Sequence, residues 1–533
     1  MATTIFRRKI NAVSSPTYRL PPESLAMVGS YLNVGDLFTA AHVSHYWRTT
    51  LLSFPSLWSN IPFGNDEAML TMLQWSKSAP LRVSIRFVCP SEEVMDSLYN
   101  DSARIVSLKS ENYAVLRRLL ARPMTSLEVL SIGLDGSETQ DDVRNLVDDP
   151  ATVVPSLRTL IVGGNPGGFG LCVPHLTHFK FYGGYPQETD GEILLSVLGV
   201  FRRCQMLEVV DVAWGEERYN PGAFVFTAED VVSLPHLRYL AQEQYSPVDQ
   251  PWLPDLIHLP QSCAVFLKKP RIAYNSEHIG PVSFPFLPNN SPHLSDIRRV
   301  KLGTVYNHSM ETIETVIEIV NGQGIILSFE RVMVLGHLRP RRDPWAIIDD
   351  ELNPSNLCAL TGANTGSPMV LCLENYQLQR GEGQAATYAA QALDDLENVT
   401  TLILSNSAVE PYLLPLEPNN REKLRWYSTV QSLVIYSPSQ LDHTGSDILQ
   451  SLLRVSKKRK IAGAPFRSVT LAIPSTTLVV SPGELAALNE YIERFEFLAG
   501  DDALDWDVDK YFIPDHDLLQ IERDKSAFDV DFS

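Results

Sequence analysis

Two patterns of apolar positions organise the chain. Near the start, Leu25, Val28 and Leu32 fall at i, i+3 and i+7 behind Pro21 and Pro22, whose missing N–H donors cost nothing in a first helical turn, so the spacing predicts a helix. Asn33, with Asp36 three residues on, has the arrangement of a cap for a second helical stretch, along which Leu37, Ala40, Val43, Trp47 and Leu51 recur every three or four residues. A third turn comes next in "FPSLWSNI". Further on, a different motif returns: apolar, two residues, apolar, one residue, apolar. It appears as Leu127/Leu130/Ile132, Leu157/Leu160/Val162, Leu176/Phe179/Phe181 and Leu207/Val210/Val212, continues at Leu237/Leu240, and recurs late as Val399/Leu402/Leu404 and Val430/Leu433/Ile435.

The early anchors are spaced by 30, 19, 31 and 30 residues, close to one leucine-rich-repeat unit but irregular. Helical stretches are expected in "GEILLSVLGVFRRCQ", "SMETIETVIEIVNG", "AATYAAQALDDLENV" and "GSDILQSLLRVSKK", so strand and helix alternate. Units of this kind bury their apolar faces by stacking on their neighbours, and the expectation is an α/β chain: a small all-helical module, then an irregular leucine-rich-repeat-like solenoid, or horseshoe, with a parallel concave sheet and a helical convex side. Side chains between the anchors point out along the concave face. His178, Lys180, Tyr182, Asp211 and Tyr239 stand there and are candidate contacts for a client protein. The Pro-rich stretch 243–293 and "HLRPRRDPWAIIDDELNPSN" break the pattern and read as loops or insertions.

Composition narrows the partner. The chain has 533 residues, 63 acidic against 44 basic side chains and a net charge of −19, a field that repels phosphate backbones and anionic membranes and favours protein partners. The longest uncharged apolar stretch, "ILLSVLGVF", is too short to span a bilayer, and "MATTIFRRKINAV" has no apolar run behind its basic residues. Six scattered cysteines without a Cys-x-x-Cys pair read as reduced thiols, placing the chain in the cytoplasm, the nucleus or both. Against this background residues 18–62 stand out, because Arg19, Glu23, Asp36 and Arg48 are their only charges. A module so small and so apolar is expected to leave a hydrophobic face for another protein to cover. The alternatives are a cap on this chain's own core, and a helix-turn-helix DNA reader, which lacks the basic residues that reading needs.

"LPPESLAMVGSYLNVGDLFTAAHVSHYWRTTLLSFPSLWSNI" resembles an F-box, of the variety in fungal proteins that run LPPE, SYL, DL, a V-x-x-x-W step and P-S-L-W, and "WSKSAPLRVSI" resembles the segment C-terminal to the F-box in those proteins. The resemblance implies docking on the Skp-type adaptor of a cullin-RING ubiquitin ligase through Leu20, Pro21, Leu25, Val28, Leu32, Leu37, Val43 and Trp47. The chain departs from the family at Ser24, where Ile or Leu is usual, and at Gly29, where a large apolar residue is usual; each loss implies roughly 1 to 3 kcal/mol less apolar burial against the adaptor.

Other motifs carry less. "TLIVGGNPGGFG" lacks the Lys-Ser/Thr of a phosphate loop, "GEGQAA" at Gly381 is a lone G-x-G-x-x-A match, and "DWDVDK" at Asp505 has Lys510 and His516 where a calcium loop needs Gly and Glu. The run Lys457 to Lys460 reads equally as a nuclear import signal or as a basic helix end favoured by the helix dipole. Neither H-E-x-x-H nor G-x-S-x-G occurs, and no metal, cofactor or catalytic residue is expected. The organisation expected is a tail at 1–17, an F-box at 18–62, a linker or capping segment at 63–110, the repeat body at 111–500 and an acidic tail at 501–533. The function expected is that of the substrate-recognition subunit of an SCF-type ligase, with a non-ligase repeat scaffold as the alternative.

Overall fold

A computed structural model of the chain describes residues 16–62, 64–86, 88–133, 150–164, 170–183, 190–214, 231–244, 253, 256–260, 262–273, 297–307, 312–321, 326–334, 368–374, 398–405, 413–418, 427–436, 445–473 and 480–499. It divides into two compact units, the first ending at Val210 and the second beginning at Asp211.

The first unit opens with helices α1 (Pro22–Ser30), α2 (Val34–Val43) and α3 (His45–Ser53). Asn33 caps α2 as its sequence position predicts, its Oδ1 accepting from the Asp36 N–H at 2.9 Å and its Nδ2 donating to the Asp36 carboxylate at 2.7 Å. The stretch from Leu37 to Leu51, expected as one helical run, breaks at Ser44, whose extended backbone ends α2 and whose hydroxyl accepts from the Trp47 N–H to cap α3. A 3-10 turn at Pro55–Trp58 leads into strand β1 (Asn60–Ile61). Strands and helices then alternate: α4 (Asp66–Ser76), β2 (Leu81–Ile85), α5 (Glu92–Asn100), β3 (Ile105–Ser110), α6 (Tyr113–Leu119), β4 (Val129–Gly133), the single turn α7 (Pro150–Val153), β5 (Thr159–Gly163), β6 (His178–Gly183), α8 (Asp190–Arg203) and β7 (Val209–Trp214), which straddles the boundary.

Strands β1 to β6 pair in parallel in chain order. The segment 63–110 is therefore more than a linker: it supplies β2 and β3, and the sheet starts well before residue 111. The repeated anchors run in register across the strands, Leu130 beside Leu160 beside Phe179 and Ile132 beside Val162 beside Phe181, and all are fully buried. Phe201 of α8 meets Phe179 edge to face at 6.4 Å, which puts this helix on the anchor side of the sheet. Burying each such anchor stabilises the fold by roughly 1.5 to 3 kcal/mol.

The second unit contains β8 (Val232–Ser233) and β10 (Ile257–His258), a separate parallel pair, and a ten-strand sheet. Its strands are β9 (Tyr239–Gln244), β11 (Ala264–Ala273), β12 (Ile297–Asn307), β13 (Thr312–Asn321), β14 (Ile326–Val334), β15 (Met369–Glu374), β16 (Val399–Ser405), β17 (Ser432–Tyr436), β18 (Ser468–Ile473) and β19 (Arg494–Ala499), with α9 (Gly445–Ile461) and α10 (Pro482–Tyr491). The spatial order is β9, β11, β14, β13, β12, β15, β16, β17, β18, β19, parallel throughout except for the two pairings of β13. "SMETIETVIEIVNG" is thus strand, where a helix was expected. The reason is side-chain branching: Thr312, Ile313, Thr315, Val316, Ile317, Ile319 and Val320 are stiff at χ1 and suit a pleated surface flanked on both sides by strands. The interval 243–293, expected as loop, contributes β10 and β11. The expected helices at "GEILLSVLGVFRRCQ" and "GSDILQSLLRVSKK" are α8 and α9, whereas "AATYAAQALDDLENV" up to residue 397, "HLRPRRDPWAIIDDELNPSN", "GEGQAA" and "DWDVDK" lie outside the described residues.

Candidate functional site

Helix α1 is apolar on two faces. Leu25, Ala26 and Gly29 turn inward and are buried, while Met27, Val28 and Tyr31 stand 61, 44 and 79% exposed. Ser24 lies on that outer stripe, at the i and i+3/i+4 spacing from Met27 and Val28. Leu20 and Val43 add two more open apolar side chains, at 40 and 65% exposure. Half of the ten large hydrophobic residues that are exposed in the described structure fall between Leu20 and Val43, so the oily surface is concentrated on these helices.

The surface is held firmly from beneath. Leu20 is presented by a short 3-10 segment, Pro16–Arg19, tied to α3 where the Tyr46 hydroxyl donates to the Leu20 carbonyl at 2.6 Å and the Tyr46 ring stacks on Tyr18 at 4.8 Å. Below, Trp58 is fully buried, donates from Nε1 to the Leu51 carbonyl at 3.0 Å and meets Trp75 of α4 at 4.6 Å and Phe38 of α2 at 5.3 Å. The Arg82 N–H donates to the Ser59 carbonyl at 2.9 Å beside the β1–β2 pairing, so the helices and the first strands share one hydrogen-bonded joint.

Of the eight residues expected to touch an adaptor, Leu20, Pro21, Val28 and Val43 are open to solvent, and Leu32 and Trp47 are half-buried. Leu25 and Leu37 are a correction: both are closed inside the module's own core, at 0 and 2% exposure, and support the face without being part of it. Met27 and Tyr31 were missed, although they stand one and two helical turns beyond Ser24. Gly29 also changes meaning. A Cβ there would lie 2.8 Å from Leu51 Cδ2 and 3.2 Å from Leu57 Cδ1, so the missing side chain lets α1 sit close to α3 and is no gap in the outer face.

The chain carries an F-box-like domain. It is residues 17–63 that match this family. A comparison with curated proteins finds no match. F-box domains generally bind Skp-type adaptors of cullin-RING ligases, and on this F-box-like domain the large exposed apolar side chains are Leu20, Val43 and those of the α1 stripe.

The candidate client residues divide. His178, Lys180 and Tyr182 lie on one side of β6, with Tyr182 43% exposed, and Asp211 is half-buried. Tyr239 is a correction: it is 4% exposed and packs on Phe266 at 5.2 Å. The expectation of a solvated row between the anchors fails more widely. Ser84, Ser107, Ser131, Thr159 and Ile161 are buried at such positions in the first unit, and in the second Val320, Cys372, Ile403 and Val434 form a buried cluster with Phe266, Val370 and Tyr436 packed against it. Parallel sheets tend to bury both faces, and these strands obey that habit.

Within the basic run at Lys457 to Lys460, Arg459 is taken into the fold while the three lysines stay exposed. Arg459 is fully buried, donates to the carbonyls of Leu416, Tyr427, Ser428 and Val430, and lies over the Phe466 ring at 4.3 Å. Burial draws its pKa down to about 10, still far above neutral pH, so it is charged. Lys458 and Arg454 pair with the buried Glu417, and Lys460 donates to the Glu490 carbonyl. The run stands in the last turn of α9, and these contacts tie that turn to neighbouring segments.

Proposed function

We propose that the chain is the substrate-recognition subunit of an SCF-type (Skp, cullin, F-box) E3 ubiquitin ligase. The adaptor covers Leu20, Met27, Val28, Tyr31 and Val43, and a degenerate leucine-rich-repeat solenoid holds a client protein, with His178, Lys180, Tyr182 and Asp211 among its contacts. Catalysis is by tethering: a client held beside a ubiquitin-loaded enzyme meets it at high effective concentration, and this chain makes and breaks no bond itself. Such a ligase works in the cytoplasm, the nucleus or both. The observation that carries the reading is the uncovered apolar stripe of α1 within an F-box-like match. The repeat reading is supported by the in-register anchors and by α8 on their side of the sheet.

The non-ligase scaffold draws on a specific feature, the Phe38–Trp58–Trp75 joint, which a mere capping module would also need. A cap, however, has no use for the outer stripe. Co-expression with a Skp-type adaptor and size-exclusion chromatography of the product separate the two: co-elution of wild type that is lost in Val28→Glu/Val43→Glu supports the ligase receptor, and failure of wild type to co-elute supports the cap.

A further inference from the structure

At the C-terminal ends of β3 to β6, Glu111, Gly133, Gly163 and Tyr182 lie side by side in one row of the sheet. The two glycines are a floor. A Cβ at Gly133 would fall 3.0 Å from Glu111 Cγ, and one at Gly163 would fall 2.7 to 2.9 Å from Cε2, Cζ and Oη of Tyr182. Glu111 therefore leans from β3 over β4 and Tyr182 leans from β6 over β5, so that a carboxylate and a phenol converge from opposite sides on the β4–β5 seam. Among the described residues neither polar end is engaged in a hydrogen bond or an ion pair. Lys109 and Lys180 stand two residues earlier on the same face, and both are already engaged.

Partial burial first, and the Glu111 charge second, hold the Tyr182 hydroxyl above its ordinary pKa against the opposing pull of Lys180, so the phenol is neutral at neutral pH. Tyr182 remains 43% exposed and Glu111 is half-buried, which leaves the notch reachable. Two oxygens facing each other without bonding each other, beside an aromatic ring, match a flat or compact cation with several N–H donors. The C-terminal end of a parallel sheet is also where open α/β sheets usually receive ligands.

We propose that this glycine-floored notch receives one cationic side chain, arginine or lysine, from a basic segment of the client protein; the inference rests on reading the sheet as the client-binding part. Gly133 and Gly163 are there because any side chain would displace Glu111 or Tyr182 from the seam.

Saturation-transfer NMR on the full-length chain tests this with N-acetyl-arginine amide and N-acetyl-lysine amide, against the neutral N-acetyl-citrulline amide. Saturation is expected for the two cations and not for citrulline, and Glu111→Gln should weaken cation binding roughly ten-fold, the loss of one charge-assisted hydrogen bond. Glu93→Gln, an exposed carboxylate elsewhere, leaves it unchanged. Tyr182→Phe, which adds no volume, carries the same test through a partial loss if Glu111→Gln does not fold. Equal binding by wild type and both variants, equal binding of citrulline, or no saturation from any probe overturns the proposal. Glu111→Gln keeps adaptor co-elution, so a failure here is distinct from a failure of the ligase reading.

Discussion

Arg459 shows what burial does to a residue that looks soluble on paper. Four backbone carbonyls converge on one guanidinium, and removing it leaves them buried without a donor. Arg459→Leu is expected to cost about 3 to 5 kcal/mol, and Arg459→Lys to recover only part of that, because an ammonium cannot supply the planar fork; chemical denaturation checks both. The cysteines obey the same logic. Cys172, Cys204, Cys263 and Cys372 are buried, and burial pushes the thiols of Cys172 and Cys263 well above their usual range, whereas Cys89 is exposed. Alkylation of the folded chain with peptide mapping should label Cys89 and spare those four until denaturant is added. The sequence does show that Lys457 to Lys460 is basic, but its anchoring partners lie 29 to 43 residues away, so no local pattern reveals that Arg459 is interior.

At the scale of elements, the repeated anchors were the most legible feature, because two apolar positions one residue apart demand a single buried face whatever packs on it. Helix α1 was legible in outline and misleading in detail. It carries apolar residues on two faces, which marks a helix covered on both sides, and the face turned to the module's own core (Leu25, Ala26, Gly29) and the face turned out (Met27, Val28, Tyr31) lie roughly opposite each other, so periodicity alone does not say which of them is inward. Gly29→Phe, the change that restores the usual family residue, should therefore destabilise the domain by about 1 to 3 kcal/mol through overpacking against Leu51 and Leu57, without strengthening adaptor binding. Thermal melts and adaptor titration of the variant check the two halves of that statement. Asn33→Ala should cost about 1 kcal/mol by removing the α2 cap. Strand β13 was illegible for a different reason: "ETIETVIEIV" satisfies a helical spacing and a strand alternation at once, and its neighbours β12 and β14 decide between them.

For the whole molecule, the charge balance and the position of the apolar surface belong to one argument. A chain of net charge −19 keeps itself apart from its copies by repulsion, and an open hydrophobic stripe is tolerable on such a chain where a partner is at hand to cover it. The stripe's residues are exposed, so altering them should not weaken the fold, and this separates docking from packing. The decisive measurement is calorimetric titration of a purified Skp-type adaptor into the full-length chain and into Leu20→Ser/Val28→Glu/Val43→Glu, with a thermal melt of each. The account predicts saturable binding by wild type, at least a hundred-fold weaker binding by the triple variant, since burial of three apolar side chains is worth roughly 3 to 6 kcal/mol, and coincident melts. Binding that survives the three substitutions, or a wild-type chain that takes up no adaptor, would contradict it.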